Sequence, residues 1–310
     1  MKKNSYSLFN NILLGVGLFL IIAMAGCSNN KPVDREYLQE IEEWHERRIN
    51  SLKESDSWLS LAGLFWLKEG ENSFGSSQEN QLKFPSGKCP AEMGRFLLQD
   101  SSVSVQINEN VAVFYNDQKI STMTLKDDSQ GAPDVLRYGS LSWYIIQRGN
   151  RYGVRLKDSE SDLLKNFKGI ERFPVDPDWR VTANFLPYDS VKIIEVPNIL
   201  GTIGKDPSPG KLVFQINGQN YALDPIAAPE DKRWFIIFSD ATSGEETYGA
   251  GRFLYIDAPG DNQTAIIDFN KSYNPPCAFT PYATCPLPPE QNHLALRVTA
   301  GEKNYQGYAH

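Results

Sequence analysis

Eight short apolar runs between residues 181 and 298 constrain this chain more than any other feature. They are Val181 to Phe185, Val191 to Val196, Lys211 to Ile216, Gln219 to Leu223, Trp234 to Phe238, Arg252 to Ile256, Thr264 to Asp268 and Leu294 to Val298. Turn-forming residues separate them, and no stretch between them carries helical periodicity. Parallel strands need long crossovers, usually helical. Short strands at this spacing predict an antiparallel sandwich or a closed barrel instead.

The region upstream reads the same way. Phe96, Leu98, Val103, Val105, Ile107, Val111, Val113 and Tyr115 alternate with polar residues, with turns at Gln99 to Ser101 and Asn108 to Asn110. Ser142 to Arg148 and Tyr152 to Leu156 flank Gly149-Asn150, a pair that supplies the backbone of a tight hairpin turn. Asp162 to Phe167 allows a turn or two of helix. The Phe173-Pro-Val-Asp-Pro-Asp178 punctuation then places a domain boundary near 170. The fold class expected is mainly β: two β-rich sandwich- or barrel-like domains, 58–169 and 170–310, after an N-terminal signal and helix.

Within segment 34–57, Tyr37, Ile41, Trp44, Arg48 and Leu52 recur at three- and four-residue steps. They describe an amphipathic helix from about Asp34 to Lys53, provided that Arg48 lays its stem along the apolar stripe. Packing against the following domain is its expected role. Ahead of it, Lys2 and Lys3 precede an apolar stretch from Ile12 to Met24 that is too short to span a bilayer. Ala23-Met-Ala-Gly-Cys27 then resembles a bacterial lipobox, which implies a signal peptide over 1–26, acylation of Cys27 and a polar tether over 27–33. The membrane is therefore an expected partner through the lipid, with the outer membrane as the expected location.

The net charge of −7 becomes −9 when residues 1–26, with two lysines and no acid, are removed. Such a body lacks the basic footprint that nucleic acid demands, and no nucleic-acid partner is expected. Three histidines, His45, His293 and His310, are too few and too scattered for a histidine-rich metal site. No H-E-x-x-H, nucleophile elbow or dinucleotide fingerprint occurs, so neither metal nor cofactor is expected. Gly204 to Lys211 imitates a phosphate loop but has one residue too many, two prolines, and Leu212 in place of the hydroxyl. Ser208-Pro-Gly-Lys211 spells a Ser-x-x-Lys pair, yet Pro-Gly predicts a loop there rather than the helical turn the pair requires.

Two dense blocks remain. Asp240-Ala-Thr-Ser-Gly-Glu-Glu-Thr247-Tyr248-Gly-Ala-Gly-Arg252 gathers polar side chains between two strand-like runs. Arg252 either pairs with Asp240 across a hairpin or offers its guanidinium fork to an anionic ligand. The segment from Asp268 to Pro289 holds six prolines between Pro275 and Pro289, together with Asn270, Tyr273, Asn274, Cys277, Phe279, Tyr282 and Cys285. Prolines forbid regular structure, and this content of aromatics and amides predicts a rigid, partly buried loop. Joined by a hairpin of Arg252 to Ile256 with Thr264 to Asp268, the blocks would bring Asp240, Thr247, Tyr248, Arg252, Asp268, Asn270, Tyr273 and Asn274 to one cleft.

Two resemblances add to this reading. Leu67, Gly70, Asn72, Phe74 and Gly75 resemble the first strand and turn of a forkhead-associated domain, but Ser76 replaces the expected arginine and no Ser-x-x-His follows. A sandwich without phosphopeptide reading is what that implies. Trp58-Leu-Ser-Leu-Ala-Gly-Leu-Phe-Trp-Leu67, Gly70, Arg172-Phe-Pro-Val175 with Trp179-Arg180-Val181, Thr247-Tyr248-Gly-Ala-Gly-Arg-Phe-Leu254, Asp268 through Pro289, Asn292 and Ala300-Gly-Glu302 resemble the family catalogued as domain of unknown function 1684. That resemblance extends from about residue 40 to the C-terminus and implies no activity.

Once Cys27 is lipidated, three cysteines remain. Outside the cytoplasm, Cys277 and Cys285, eight residues apart, are the natural disulfide pair, and Cys89 is left single. A metal held by the pair with His293 would lack a fourth ligand. The function expected is a membrane-anchored envelope lipoprotein that binds a small ligand in a cleft of its C-terminal β domain. The alternative is a cofactor-independent enzyme using a carboxylate, tyrosine and arginine in that cleft.

Overall fold

The computed structural model describes residues 34–307, so the signal segment, Cys27 and the tether lie outside the described residues. The chain starts with helix α1 (Arg35–Leu52), capped by the Asp34 carboxylate, which accepts from the Glu36 amide. Tyr37, Ile41 and Leu52 of the predicted stripe are buried. The segment beyond Leu52 turns instead into a short 3₁₀ turn at Trp58–Ser60.

Eleven strands follow among the described residues before residue 160: β1 (Leu61–Trp66), β2 (Gly70–Gly75), β3 (Leu82–Lys83), β4 (Gly94–Gln99), β5 (Ser102–Ile107), β6 (Val113–Tyr115), β7 (Gln118–Ile120), β8 (Thr122–Leu125), β9 (Leu136–Tyr138), β10 (Leu141–Arg148) and β11 (Arg151–Asp158). They form a six-stranded sheet, β1-β11-β10-β9-β6-β7, and a five-stranded sheet, β3-β2-β4-β5-β8. Phe74, Phe96 and Val105 of one sheet pack with Trp143, Ile145 and Val154 of the other, which makes the region a sandwich. Two hairpins stand where the turn chemistry predicts them. Asp100 and Ser101 both take positive φ between β4 and β5, and Gly149 does so between β10 and β11.

After the short helix α2 (Asp162–Lys165) come β12 (Arg180–Pro197), β13 (Ile203–Ile216), β14 (Gln219–Leu223), β15 (Arg233–Phe238), β16 (Arg252–Asp257) and β17 (Thr264–Asp268). One sheet runs β14-β13-β12-β17, and β15 pairs with β16. The bridge between Ile226 and Phe235 ties β15 to the chain just past β14, while β16 and β17 lie side by side without a ladder. The result is a partly closed, barrel-like wall around Leu212, Phe214, Leu223, Trp234, Ile236, Phe238, Leu254, Ile267 and Phe269.

Four expectations change here. The run Leu294 to Val298 forms no strand. Val181 to Phe185 and Val191 to Val196 belong to one long strand, β12, whose pairing with β13 shifts register between Pro187 and Lys192. Ser208-Pro-Gly-Lys211 lies inside β13 rather than in a loop. Gly210 allows this because a Cβ there would come within 2.4 Å of the Leu186 carbonyl oxygen, so only glycine lets the two backbones approach across the irregularity. The strand pair Arg252 to Ile256 and Thr264 to Asp268 does not form a hairpin. β16 pairs with β15, and β17 pairs with β12.

A third apolar cluster lies between the sandwich and the barrel-like wall. It combines Leu52, Leu59, Leu61, Phe167 and Ile170 with Ile237, Tyr248, Phe253, Cys277, Ala278, Phe279 and Cys285. The proline-rich segment is therefore a core element. Cys277 and Cys285 form a disulfide with Cα atoms 6.1 Å apart, and Cys89 is free and half-buried. No helix among the described residues is long and apolar enough to cross a membrane.

Candidate functional site

The eight residues singled out in the sequence fall into separate environments rather than one cleft. Asp240, Thr247 and Arg252 form a buried clamp. The Arg252 Nη2 donates to Asp240 Oδ2 at 2.7 Å and to the Val298 carbonyl at 3.0 Å, and its Nη1 donates to the Ala300 carbonyl. The other carboxylate oxygen of Asp240 accepts from the Thr242 amide, the Thr242 hydroxyl and the Val298 amide. Thr247 Oγ1 lies 2.9 Å from Thr242 Oγ1. Burial pulls the Arg252 pKa down, opposed by the Asp240 charge beside it. With no exposed surface and its partners inside the protein, Arg252 fastens the C-terminal segment 298–302 to β16. Gly251 just before it has φ +89°, and a Cβ there would meet the Phe238 carbonyl oxygen at 2.5 Å.

Asn274 belongs to a second network. Its amide donates to Glu302 Oε2 at 2.7 Å, and its side chain donates to the Lys303 carbonyl. Arg48 of α1 completes this network, with Nε donating to Glu302 Oε1 at 3.2 Å and Nη2 donating to the Asn274 carbonyl at 3.0 Å. The charged residue on the apolar stripe of the helix thus brings its head as well as its stem into the protein. Tyr248 lines a groove with Tyr282 and Cys277.

Asp268 and Tyr273 do share a cleft, of about 290 Å³, with Glu40 and Trp44 of α1, Arg180 of β12, Arg233 of β15, Tyr255 and Asp257 of β16, and Lys271. Strand pairing places Arg180 opposite Asp268 and Arg233 opposite Asp257. Asp268 is only 6 % exposed. Its Oδ1 accepts from the Tyr37 hydroxyl at 2.9 Å and the Asn270 amide at 3.1 Å. Asn270 in turn donates to the Tyr37 oxygen and the Asp176 carbonyl, and its Oδ1 accepts from the Asp176 amide. Asp268 Oδ2 has no hydrogen-bond partner.

Burial raises the Asp268 pKa above the ordinary carboxylate value, against the lowering effects of Tyr37, Lys271 and Asn270. Tyr37 is raised as well, first by burial and then by the Asp268 charge. Burial also raises Tyr273. Lys271 is paired with Glu40. Arg180 and Arg233 form no ion pair among the described residues, and each guanidinium lies over a tyrosine ring: Tyr37 at 5.1 Å and Tyr255 at 5.0 Å from the centroid. The arrangement offers two guanidiniums, the Asp257 carboxylate and one unsatisfied oxygen of Asp268 to whatever enters.

Tyr37, Arg180, Arg233 and Lys271 were not among the expected site residues. Arg180 sits within a motif already noticed for its resemblance, and Tyr37 within the helical stripe. Only strand pairing and the docking of the helix bring them to Asp268.

These features define a β-rich protein whose N-terminal helix walls a polar cleft against a C-terminal barrel-like region. The chain belongs to the family described as "Protein of unknown function (DUF1684)", whose profile matches residues 165–303. That match is narrower than the resemblance read from residue 40 onward. A solution structure of an uncharacterized protein from Haloarcula marismortui is similar at 31 % identity, over 45 % of this chain and 78 % of that one, with a TM-score of 0.38. A forkhead-associated domain studied for phosphothreonine-dependent interactions is similar at 16 % identity, over 30 % of this chain and 92 % of that one, with a TM-score of 0.21. The FhaA forkhead-associated domain, complexed with the intracellular domain of Rv3910, is also similar at 16 % identity, over 30 % of this chain and 97 % of that one, with a TM-score of 0.22. No curated protein matches the chain.

Proposed function

We propose that the cleft around Asp268 binds a small anionic ligand that also carries a hydroxyl or amide, and that it does so on a protein tethered to the cell envelope through a lipid on Cys27. The observation that carries the reading is the unpartnered, buried Oδ2 of Asp268, set beside two arginines that form no ion pair among the described residues. Buried polar groups in native proteins are nearly always satisfied, and a bare one in a concave site marks a place for a ligand group. The guanidiniums take the acidic group by charge-assisted hydrogen bonds, and Asp268 takes the neutral polar group.

Calorimetric titration of the purified protein with a panel of sugar acids and small hydroxy acids tests the reading. Saturable binding that is lost in Arg180→Met and Arg233→Met supports it. Absence of binding across the panel, or binding indifferent to both substitutions, removes it. Acylation is checked separately: Cys27→Ser should move the protein from the membrane fraction to the soluble one.

A catalytic reading of the same cleft has one observation in its favour, the raised pKa of Asp268 in a concave site, a shift in the direction that suits a general acid. Under that reading, Asp268→Asn abolishes turnover of a bound compound and leaves its affinity within a few-fold.

A further inference from the structure

A second cavity, of about 210 Å³, lies between the sandwich and the disulfide-bearing loop; it shares no lining residue with the Asp268 cleft, although its Phe235 and Phe253 touch Tyr255 and Tyr273 of that cleft. Arg148 and Arg155 reach it from β10 and β11. Its other walls are mostly apolar: Trp58, Phe235, Phe253, Pro276, Ala283 and Pro286. Thr284 and Cys285 complete it, the latter in the disulfide to Cys277.

The charges in this cavity do not balance. Arg148 is neutralised by Asp128, 2.9 Å away, and its Nε donates to Thr284 Oγ1 at 3.2 Å. Arg155 donates from Nη2 to the same Thr284 oxygen at 3.0 Å. It forms no ion pair among the described residues, it is 3 % exposed, and its Nε is buried with no hydrogen-bond partner. A guanidinium stays protonated in proteins, so this is a permanent buried positive charge. Removing a charge from water without a partner is strongly unfavourable, and buried charges in native proteins are paired. The Asp240–Arg252 and Arg48–Glu302 pairs of this same chain show that pattern.

We infer that the cavity is a binding site for a small monocarboxylate with a compact apolar body. The carboxylate pairs with the Arg155 guanidinium through a charge-assisted hydrogen bond. The apolar body packs against Phe235, Phe253, Pro276 and Ala283. One net positive charge calls for one negative charge. The volume equals that of about seven waters at about 30 Å³ each, roughly the bulk of a six-carbon acid.

Thermal unfolding of the purified full-length protein, with hexanoate or benzoate added up to about 10 mM, tests the inference, because a ligand that binds only the native state raises the melting temperature saturably. Hexan-1-ol matches the apolar body without the charge, and inorganic phosphate supplies charge without the body. The expected result is a saturable rise with hexanoate or benzoate, little with the other two, and affinity weakened at least about tenfold in Arg155→Met, the loss of one charge-assisted contact. Arg180→Met, on the other cleft, should leave this binding unchanged, which separates failure here from failure of the function proposed above. No saturable shift with either acid in the unsubstituted protein overturns the inference, whatever becomes of the variants. Equal or tighter binding of phosphate overturns the apolar part, and acid binding that survives Arg155→Met but not Arg180→Met overturns the site.

Discussion

Replacing Arg252 with methionine separates a structural clamp from a ligand-binding arginine. Methionine keeps much of the apolar bulk and deletes the charge. It leaves Asp240 Oδ2 without the donor now at 2.7 Å and strips the Val298 and Ala300 carbonyls of theirs. Breaking a buried ion pair by removing one partner costs about 3–5 kcal/mol, mostly from the charge left behind. Against a total stability of roughly 5–15 kcal/mol, that is a large share. With a urea slope of about 3 kcal/mol per molar, the unfolding midpoint falls by about 1–1.7 M. Urea titration followed by far-ultraviolet circular dichroism reads the shift. Adding Asp240→Asn should recover part of it, since the buried charge is then gone while most donors to that side chain keep an oxygen to meet. Anion binding by the Asp268 cleft should persist in whatever fraction remains folded. A midpoint lowered by less than about 0.3 M, roughly 1 kcal/mol, together with lost anion binding, would refute the clamp and return Arg252 to a ligand-facing role.

The raised pKa of Asp268 means that the folded state holds this proton more tightly than the unfolded chain does, so its contribution to stability is present at low pH and lost as pH rises from the ordinary value of 3.8 through the folded one. Asp268→Asn should therefore flatten the fall in melting temperature above about pH 4; an unchanged pH profile would count against the raised value. Arg48→Met leaves the buried Glu302 carboxylate without its guanidinium and should cost about 3 kcal/mol or more, with Glu302→Gln restoring most of it in the double variant. Cys277→Ser with Cys285→Ser opens a ring of nine residues and should lower stability by about 2–3 kcal/mol in the chain-entropy account. Alkylation of the denatured, unreduced protein with Cys27 acylated should label Cys89 alone, and slowly in the native state, where burial raises its pKa.

Local signals carried well into the structure where the information itself is local. Gly149-Asn150 and Asp100-Ser101 turn hairpins because their backbone preferences suit the turn, and alternation along β4, β5 and β10 matches two sheets facing one core. The Cys277–Cys285 pairing expected from their spacing is present. Pairing between strands distant in sequence was not legible in this way. Arg252 to Ile256 and Thr264 to Asp268 are neighbours in sequence with an ordinary turn between them, yet β12 is long enough to take β17 as its partner, and β16 goes to β15. That exchange is why Arg252 faces the core with Asp240 while Asp268 opens to a cleft. The Asp268 site also depends on a helix more than 200 residues upstream, and no local pattern connects Tyr37 to Asp268. One signal was present and carried more than was taken from it. A charged residue on the apolar stripe of a helix, Arg48, marks a buried partner as readily as a snorkelling stem, and the Glu302 of Ala300-Gly-Glu302 is that partner.

The segment from Asp268 to Pro289 explains why one irregular stretch holds so many residues of rigid type. Its first turn supplies Asp268, Lys271 and Tyr273 to the cleft walled by α1, and Asn270 to the Tyr37 hydroxyl. Its second half supplies Pro276, Ala283, Thr284, Cys285 and Pro286 to the cavity that holds Arg155. Between them, Cys277, Ala278 and Phe279 are buried in the cluster that joins the sandwich to the barrel-like wall. A loop with no ladder of its own cannot hold side chains on two sides through backbone hydrogen bonding. Proline fixes φ, the disulfide closes the ring, and the buried aromatics lock the remainder. Loosening the ring should therefore weaken hexanoate or benzoate binding through Thr284 and Pro286 before it disturbs the Asp268 cleft, whose residues precede Cys277 and are held independently by Tyr37, Asn270 and the β12–β17 ladder. Measuring both affinities in the double serine variant distinguishes the two: a loss confined to the monocarboxylate fits this architecture, and an equal loss of both contradicts it.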